Sequence, residues 1–223
     1  KQGYPKTPAA QMVCTMFGEL EVQTDAHNSH TTQEISLTRT LSMITLAIDG
    51  TDLNPGILIT PMSVRLVNVP NSCVITGENT PNNTSGIAPQ GHYVADLQNK
   101  WGSVANGSTT HEDKKQVAPL TTVADCHGAD EQVTPLFMFE NRQGTGSTGT
   151  QNNETTKTPP DGKDDFCSYI EILASYRYSQ ALGGTAQNIP DLTGNITYRF
   201  YLGENTTDNF NIIRNKHYML TLD

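Results

Sequence analysis

Residue types able to carry chemistry are sparse in this chain and poorly spaced for it. His27 and His30 stand at i and i+3 with Asp25 beside them, a spacing that can hold a metal ion on a helix. They fall in a Thr/Asn/Ser-rich turn with no third ligand fixed by sequence, and they read as solvated loop histidines. Asp161-Gly162-Lys163-Asp164-Asp165 has the acidity of a calcium loop but neither its alternating ligands nor its terminal Glu, and reads as a solvated acidic turn. Cys126 and His127 are adjacent, and neighbours on a strand point to opposite faces, so no thiolate–imidazole pair is implied. Gly144, Gly146 and Gly149 offer the glycines of a phosphate loop without the following Lys-Ser/Thr or a strand–loop–helix setting. The motifs G-x-S-x-G and H-E-x-x-H do not occur, and no pair of carboxylates is spaced for acid–base work. The expectation is a protein that is not an enzyme, with no catalytic, cofactor-binding or metal-binding residue.

Four cysteines, Cys14, Cys73, Cys126 and Cys167, lie 59, 53 and 41 residues apart. None forms a C-x-x-C pair, so zinc ribbons and thioredoxin-type redox sites have no support. Four cysteines allow three pairings, and an even count fits an oxidising compartment. The alternative, four small buried hydrophobes, stays equally open. Asn-x-Ser/Thr sequons at Asn82, Asn83, Asn106, Asn153, Asn195 and Asn205 are what so Asn- and Thr-rich a chain produces by composition, and they matter only in a eukaryotic secretory pathway. Trp101 with Tyr93 and His92 could stack on a sugar, but a lone Trp in a small β-domain reads first as core or as an interface plug.

The elements that must position these residues are strands. Of 223 residues, 30 are Thr and 18 are Asn, while only 17% are charged; Thr favours strands and Asn favours turns. The net charge of −9, with no basic cluster, argues against a nucleic-acid partner. Apolar runs stop at about five residues, too short for a transmembrane segment. From Ile35 to Ile48 the apolar parity changes phase, which implies a β-bulge or an end covered on both faces. Met62, Val64 and Leu66 alternate up to the stop at Pro70. His92 to Trp101 is the best short-helix candidate. Later strands are Pro135–Glu140, Cys167–Tyr178 (Ile170, Ile172, Ala174, Tyr176 and Tyr178 on one face), the stretch holding Ile196, Tyr198, Phe200 and Leu202, and Tyr218–Leu222. Residues 79–91 and the Gly/Thr-rich stretch 143–165 read as long loops. Such a pattern means all-β sandwiches or barrels, and the polar stretch 99–115 suggests two domains, 1–115 and 116–223.

At two places the sequence stops looking generic: Leu136–Gly144 (LFMFENRQG) and Ile196–Leu222 (ITYRFYLGENTTDNFNIIRNKHYMLTL). The order runs Phe139-Glu140-Asn141, an extended strand, Tyr198-Arg199-Phe200-Tyr201-Leu202-Gly203, Phe210-Asn211, then Arg214-Asn215-Lys216-His217-Tyr218. It resembles the second half of the fimbrillin-type subunits of Bacteroidales surface fimbriae. Upstream, Leu37-Thr38-Arg39-Thr40-Leu41 and Val64-Arg65-Leu66-Val67-Asn68-Val69-Pro70 resemble two strands of that family's first domain. The motifs are short, and their order from about Leu37 to Leu222 carries the specificity.

The resemblance implies two transthyretin-like β-sandwich domains, the first lacking its N-terminal strands because only 38 residues precede Arg39. It also implies export as an outer membrane lipoprotein precursor and display outside the cell. The expected function is that of a structural or accessory subunit of a surface fimbrium, joined to other subunits by donor-strand contacts and supporting adhesion. A tip adhesin that binds host protein or glycan through loops 79–91 and 143–165 is the alternative. Arg199, Asn211, Arg214 and Asn215 recur in the family pattern; the expected role is fold-specifying, holding turns by hydrogen bonds to backbone carbonyls.

Overall fold

The computed structural model describes residues 15–20, 34–48, 53–82, 86–88, 92–96, 104–105, 136–151, 154–184 and 190–222. Among them the architecture is all-β. The first half contributes β1 (Met16–Phe17), β2 (Thr38–Arg39), β3 (Leu41–Ile48), β4 (Ile57–Val67), β5 (Val69–Pro70), β6 (Ile87–Ala88), β7 (His92–Asp96) and β8 (Val104–Ala105). The second half contributes β9 (Leu136–Phe139), β10 (Asn141–Thr145), β11 (Ser147–Gln151), β12 (Glu154–Thr158), β13 (Tyr169–Tyr178), β14 (Leu192–Tyr201), β15 (Asn209–Ile212) and β16 (His217–Leu222).

Two sheets carry the core. The larger runs β14-β13-β4-β7, with β8 also on β4; the smaller runs β16-β3-β9. Ile44 and Leu46 on β3, Leu136 and Met138 on β9, Val64 and Leu66 on β4, and Ile170 and Ile172 on β13 form one buried cluster, joined by Val69, Leu202 and Ile212. Each such aliphatic side chain removed from water is worth roughly 1.5–3 kcal/mol, and the cluster welds the two sheets into a sandwich.

The expected division at residue 115 does not follow the sheets. β4 from the first half pairs along its length with β13 from the second, and β3 lies between β16 and β9. The core therefore contains residues from both sides of that boundary. Long-range pairing is invisible to a reading that groups strands by proximity in sequence.

The phase slip between Ile35 and Ile48 proves to be a strand break followed by burial on both faces. Thr40 separates β2 from β3, and Leu41, Ser42, Ile44, Thr45 and Leu46 are all buried. Ser42 is tolerated there because its hydroxyl donates to the Met138 carbonyl at 3.1 Å. Pro61 sits within the central strand β4, where a missing N–H would normally break a ladder. On one side of it the β13 register slips between Leu173 and Ala174. On the other, β8 pairs with residues 58–59 and β7 with 63–66, so the proline falls in a gap between partners.

Three local expectations are corrected. The helix candidate at 92–101 begins instead as β7, because β4 offers an edge and pairing overrides a weakly capped helix. The stretch 143–165 is mostly strand: the end of β10, then the β11–β12 hairpin with Ser147 opposite Thr158 and Gln151 opposite Glu154. The Asn/Thr run after Gly203, whose composition reads as the turn between the last two strands, leads into a further strand, β15, paired with β10.

Candidate functional site

Two of the strand junctions in the second half carry the densest polar chemistry among the described residues. At Glu140 the chain leaves β9, which pairs with β3, and enters β10, which pairs with β15. At Arg214 it has left β15 and is about to enter β16, which pairs with β3. Both junctions are places where the chain switches sheets, and the two side chains meet. Glu140 Oε2 accepts from Arg214 Nε at 2.8 Å and from Nη2 at 2.6 Å, and the two side chains are only 1% and 7% exposed.

The rest of the arginine fork is used on the segment that follows β5. Arg214 Nη1 donates to the carbonyls of Val74 and Ile75 at 2.9 Å each, and Nη2 donates to that of Gly77 at 3.0 Å. Phe17 of β1 lies with its ring 5.6 Å from the guanidinium carbon. The remaining carboxylate oxygen, Oε1, accepts from Arg142 Nε at 2.9 Å, and Arg142 Nη1 reaches Glu78 at 2.6 Å. Asn79 closes the cluster: its N–H donates to Glu140 Oε2 at 3.1 Å and its Nδ2 to the Glu140 carbonyl at 2.7 Å.

Burial alone would push the Glu140 carboxyl up. Hydrogen bonds from Arg142, Arg214 and the Asn79 backbone, with the charge of Arg214, outweigh it and hold the group below the usual carboxylate range. A buried charge is tolerable only when paired and hydrogen-bonded in this way. With four donors on its two oxygens, Glu140 is a structural anion whose lone pairs are committed. What the arrangement does is mechanical: it locks two sheet-switching junctions and the loop after β5 to one another.

A third junction works similarly. Asn68, between β4 and β5, adopts φ 54°, a left-handed conformation that Asn tolerates better than most residues. Its Nδ2 donates to the carbonyls of Asp164 (3.0 Å) and Cys167 (3.3 Å), and its own carbonyl accepts from Ser168 Oγ at 2.7 Å. Asn141 Nδ2 extends this network to Ser168 Oγ at 2.7 Å and the Phe166 carbonyl at 2.8 Å.

The family-pattern residues divide among distinct tasks. Arg214 bonds three carbonyls as expected, but its main partner, Glu140, lies 74 residues away and carries no local signal in sequence. Asn215, at φ 61°, accepts from the Arg39 guanidinium at 3.3 Å, and its N–H donates to the Leu41 carbonyl at 3.0 Å. Asn211 Oδ1 accepts the Gly144 N–H at 2.8 Å, bonding an amide rather than a carbonyl. Arg199 pairs at 3.8 Å with Glu171, which also pairs with Arg65 on β4, and it lies over the Tyr169 ring at 4.4 Å.

The β11–β12 hairpin is docked to the turn between β14 and β15. Lys157 Nζ donates to the carbonyls of Leu202 and Asn205 at 3.1 and 2.9 Å and lies 4.5 Å from the Phe210 ring centroid. Thr148 Oγ1 donates to the Thr207 carbonyl at 3.2 Å, and Gly146 N to that of Asp208 at 2.8 Å. Burial lowers the Lys157 amine to about 8. Asn205 Oδ1 accepts three successive N–H groups, from Thr207, Asp208 and Asn209, so this sequon asparagine organises its own turn.

Elsewhere the chemistry candidates stay apart. Asp161, Asp164 and Asp165 occupy a turn region, and among the described residues no group of three His, Cys, Asp or Glu could hold a metal ion. Gly144 lies within β10, near its end, with φ 89°, not in a phosphate loop. Cys167 is fully buried, and its thiol is pushed up to about 12 by that burial. Asn82 and Asn195 are exposed. His27, His30, Cys14, Cys126, His127, Trp101, and the sequons at Asn83, Asn106 and Asn153 lie outside the described residues. No described helix is long and apolar enough to cross a membrane.

The other notable feature is a pair of sheet edges. Among the described residues β14 pairs only with β13, and β16 only with β3. The four partly buried hydrophobics packed on the core, Tyr198, Phe200, Tyr218 and Leu220, all belong to these two edge strands.

Residues 136–222 match the model of a domain of unknown function, DUF4906. The matched stretch opens with β9 and closes with β16, so it contains both switch junctions and both edge strands. No curated protein matches the sequence. Among solved structures the chain is similar to the crystal structure of a candidate cell adhesion protein from Bacteroides eggerthii, with 14% identity over 78% of this chain and 44% of that one, and a TM-score of 0.29. The chain spans less than half the length of that protein, and a likeness at this score carries no argument.

Proposed function

We propose that this protein is a structural or accessory subunit of a bacterial cell-surface fimbrium, that it joins neighbouring subunits by strand addition at an open sheet edge, and that it supports adhesion at the cell surface. The ordered resemblance of the second-half motifs to fimbrillin-type subunits motivates the reading. The observation that supports it in the structure is that, among the described residues, β14 pairs only with β13 and β16 only with β3. An unpaired edge presents backbone donors and acceptors that a neighbour's strand can satisfy, with alternate side chains filling the space between the sheets. Export as a lipoprotein precursor belongs to the same proposal.

The test is an unheated SDS gel of the full-length, processed protein, with negative-stain microscopy of the same sample. A ladder of heat-sensitive oligomers with thin filaments is the expected result. A single monomer band without filaments would overturn the subunit reading.

A second reading, a tip adhesin acting through loops, draws on the β11–β12 hairpin. It forms its own two-stranded sheet, held on the 205–208 turn by the contacts of Lys157, Thr148 and Gly146. A rigidly mounted, Thr-rich protrusion suits recognition. Its signature is ligand capture by the intact protein, abolished by replacing the hairpin with a two-residue turn, without polymerisation.

A further inference from the structure

We infer that β14 is a self-recognition edge: two copies of this chain pair antiparallel through Leu192–Tyr201 around a two-fold axis at Thr197. The inference rests on the strand-addition reading for its mode of contact and is independent of the fimbrial assignment.

The edge lacks the features that usually blunt one. β14 is ten residues long and keeps unbroken register with β13 from Leu192 opposite Tyr178 to Tyr201 opposite Tyr169. It contains no proline and one charged residue, Arg199. Natural edges are ordinarily short, bulged, proline-bearing or rich in lysine. Long, in continuous register and nearly uncharged, this one is suited to be paired.

The choice of a second copy as occupant comes from the register that two-fold symmetry imposes. Residues directly opposite across an antiparallel pair share a face. With Thr197 on the axis, Asn195 of one copy faces Arg199 of the other, Ile196 faces Tyr198, Gly194 faces Phe200 and Thr193 faces Tyr201. Every pairing is compatible. The single charge meets an amide rather than another arginine. Ile196 against Tyr198 is a β-branched–aromatic pair, the kind that stabilises sheets. Gly194, which has open space where a Cβ would project, lies opposite the bulky Phe200. Thr197 meets its own copy as a threonine pair, which can hydrogen-bond.

The apolar row completes the argument. Ile196, Tyr198 and Phe200 face the core side of the sheet but are only partly buried, and Leu192 is 46% exposed. In the pair, each copy's row continues into the other's, so an incomplete sandwich edge becomes the middle of a larger sheet. An isologous contact of this kind closes on itself and yields a dimer; it leaves the β16 edge, which among the described residues pairs only with β3, for the strand addition that builds a filament.

The experiment is sedimentation equilibrium of the 223-residue chain, wild type and Thr197→Lys, with a Thr197→Cys variant under mild oxidation. Thr197 is exposed on the outer face, so the lysine leaves the core alone while placing two like charges beside the axis. The expected results are a wild-type dimer, a dissociation constant raised roughly tenfold or more by Thr197→Lys, and a covalent dimer from Thr197→Cys. A monomeric wild-type chain, or a dimer indifferent to Thr197→Lys, overturns the inference. If Thr197→Lys does not fold, the cysteine decides: rapid cross-linking at 197 supports the axis, and its absence in a dimeric sample refutes it. Filaments that form without any 197–197 cross-link sink this inference and leave the fimbrial reading standing. A cross-linked dimer that never polymerises does the reverse.

Discussion

The Glu140–Arg214 junction and the β14 edge lie in the same half of the chain and treat polar groups in opposite ways. At the junction every hydrogen-bonding atom of a buried ion pair is engaged, down to the fork of the guanidinium on three carbonyls. Along the edge, a full row of backbone groups has no partner among the described residues. Polar groups buried in protein must be satisfied where they stand, whereas those at an edge can wait for another chain. The contrast separates what holds this molecule together from what it offers to others.

The strongest way to break that contrast is to disable the junction. Arg214→Ala leaves the Glu140 carboxylate buried with only Arg142 and the Asn79 N–H, and loss of about 3–5 kcal/mol is expected, read by urea unfolding monitored by circular dichroism. Acid probes the same pair without mutation. The folded Glu140 carboxyl titrates below its unfolded value, so its stabilisation is complete above an unfolded pKa of about 4.3. It is lost as pH falls through the lower folded value. A Glu140→Gln variant should therefore show a flatter stability–pH curve over that acid range.

Asn68→Ala comes next, at about 1–3 kcal/mol, because it forces a left-handed φ on alanine and removes one buried and one partly buried hydrogen bond. Asn68→Gly should recover the backbone part of that loss, which chemical denaturation can resolve. Lys157 sharpens the picture between the two regions. Its depressed amine should titrate with a midpoint near 8 in a ¹³C-methyl-labelling or direct NMR titration. The charged form is the penalised one, so stability linked to Lys157 is greatest above the unfolded lysine value and declines as pH falls through about 8. The smallest effect belongs to the exposed pair of Arg177 with Asp191, 3.7 Å apart: Arg177→Ala should change stability by less than about 0.5 kcal/mol.

Much of the fold was legible because strands announce themselves locally. The alternation of Ile170, Ile172 and Ala174 placed β13 and its buried face correctly, since period-two burial needs no knowledge of the partner. The start of the 92–101 segment reads differently for the opposite reason: its helical spacing is weak, and pairing with β4 decides the conformation of residues 92–96. The hairpin at 147–158 was hidden by composition, since Thr and Gly on both of its faces show no apolar alternation. Of the junction, Arg214 was visible as a carbonyl-binding arginine, but Glu140 was not. An acidic residue after Phe139 looks like a strand's polar end until its partner arrives from 74 residues away.

By itself the sequence determined the strand class, the absence of long apolar segments and the positions of the strongest strands, because these depend on side-chain period and backbone preference within a few residues. Only the tertiary structure decided which strands share a sheet across residue 115, why a proline can sit inside β4, that Glu140 is an internal anion, and that β14 is an edge among the described residues. Those outcomes depend on which distant backbone donors, acceptors and charges meet. Meeting is a property of the closed chain, not of any stretch of it.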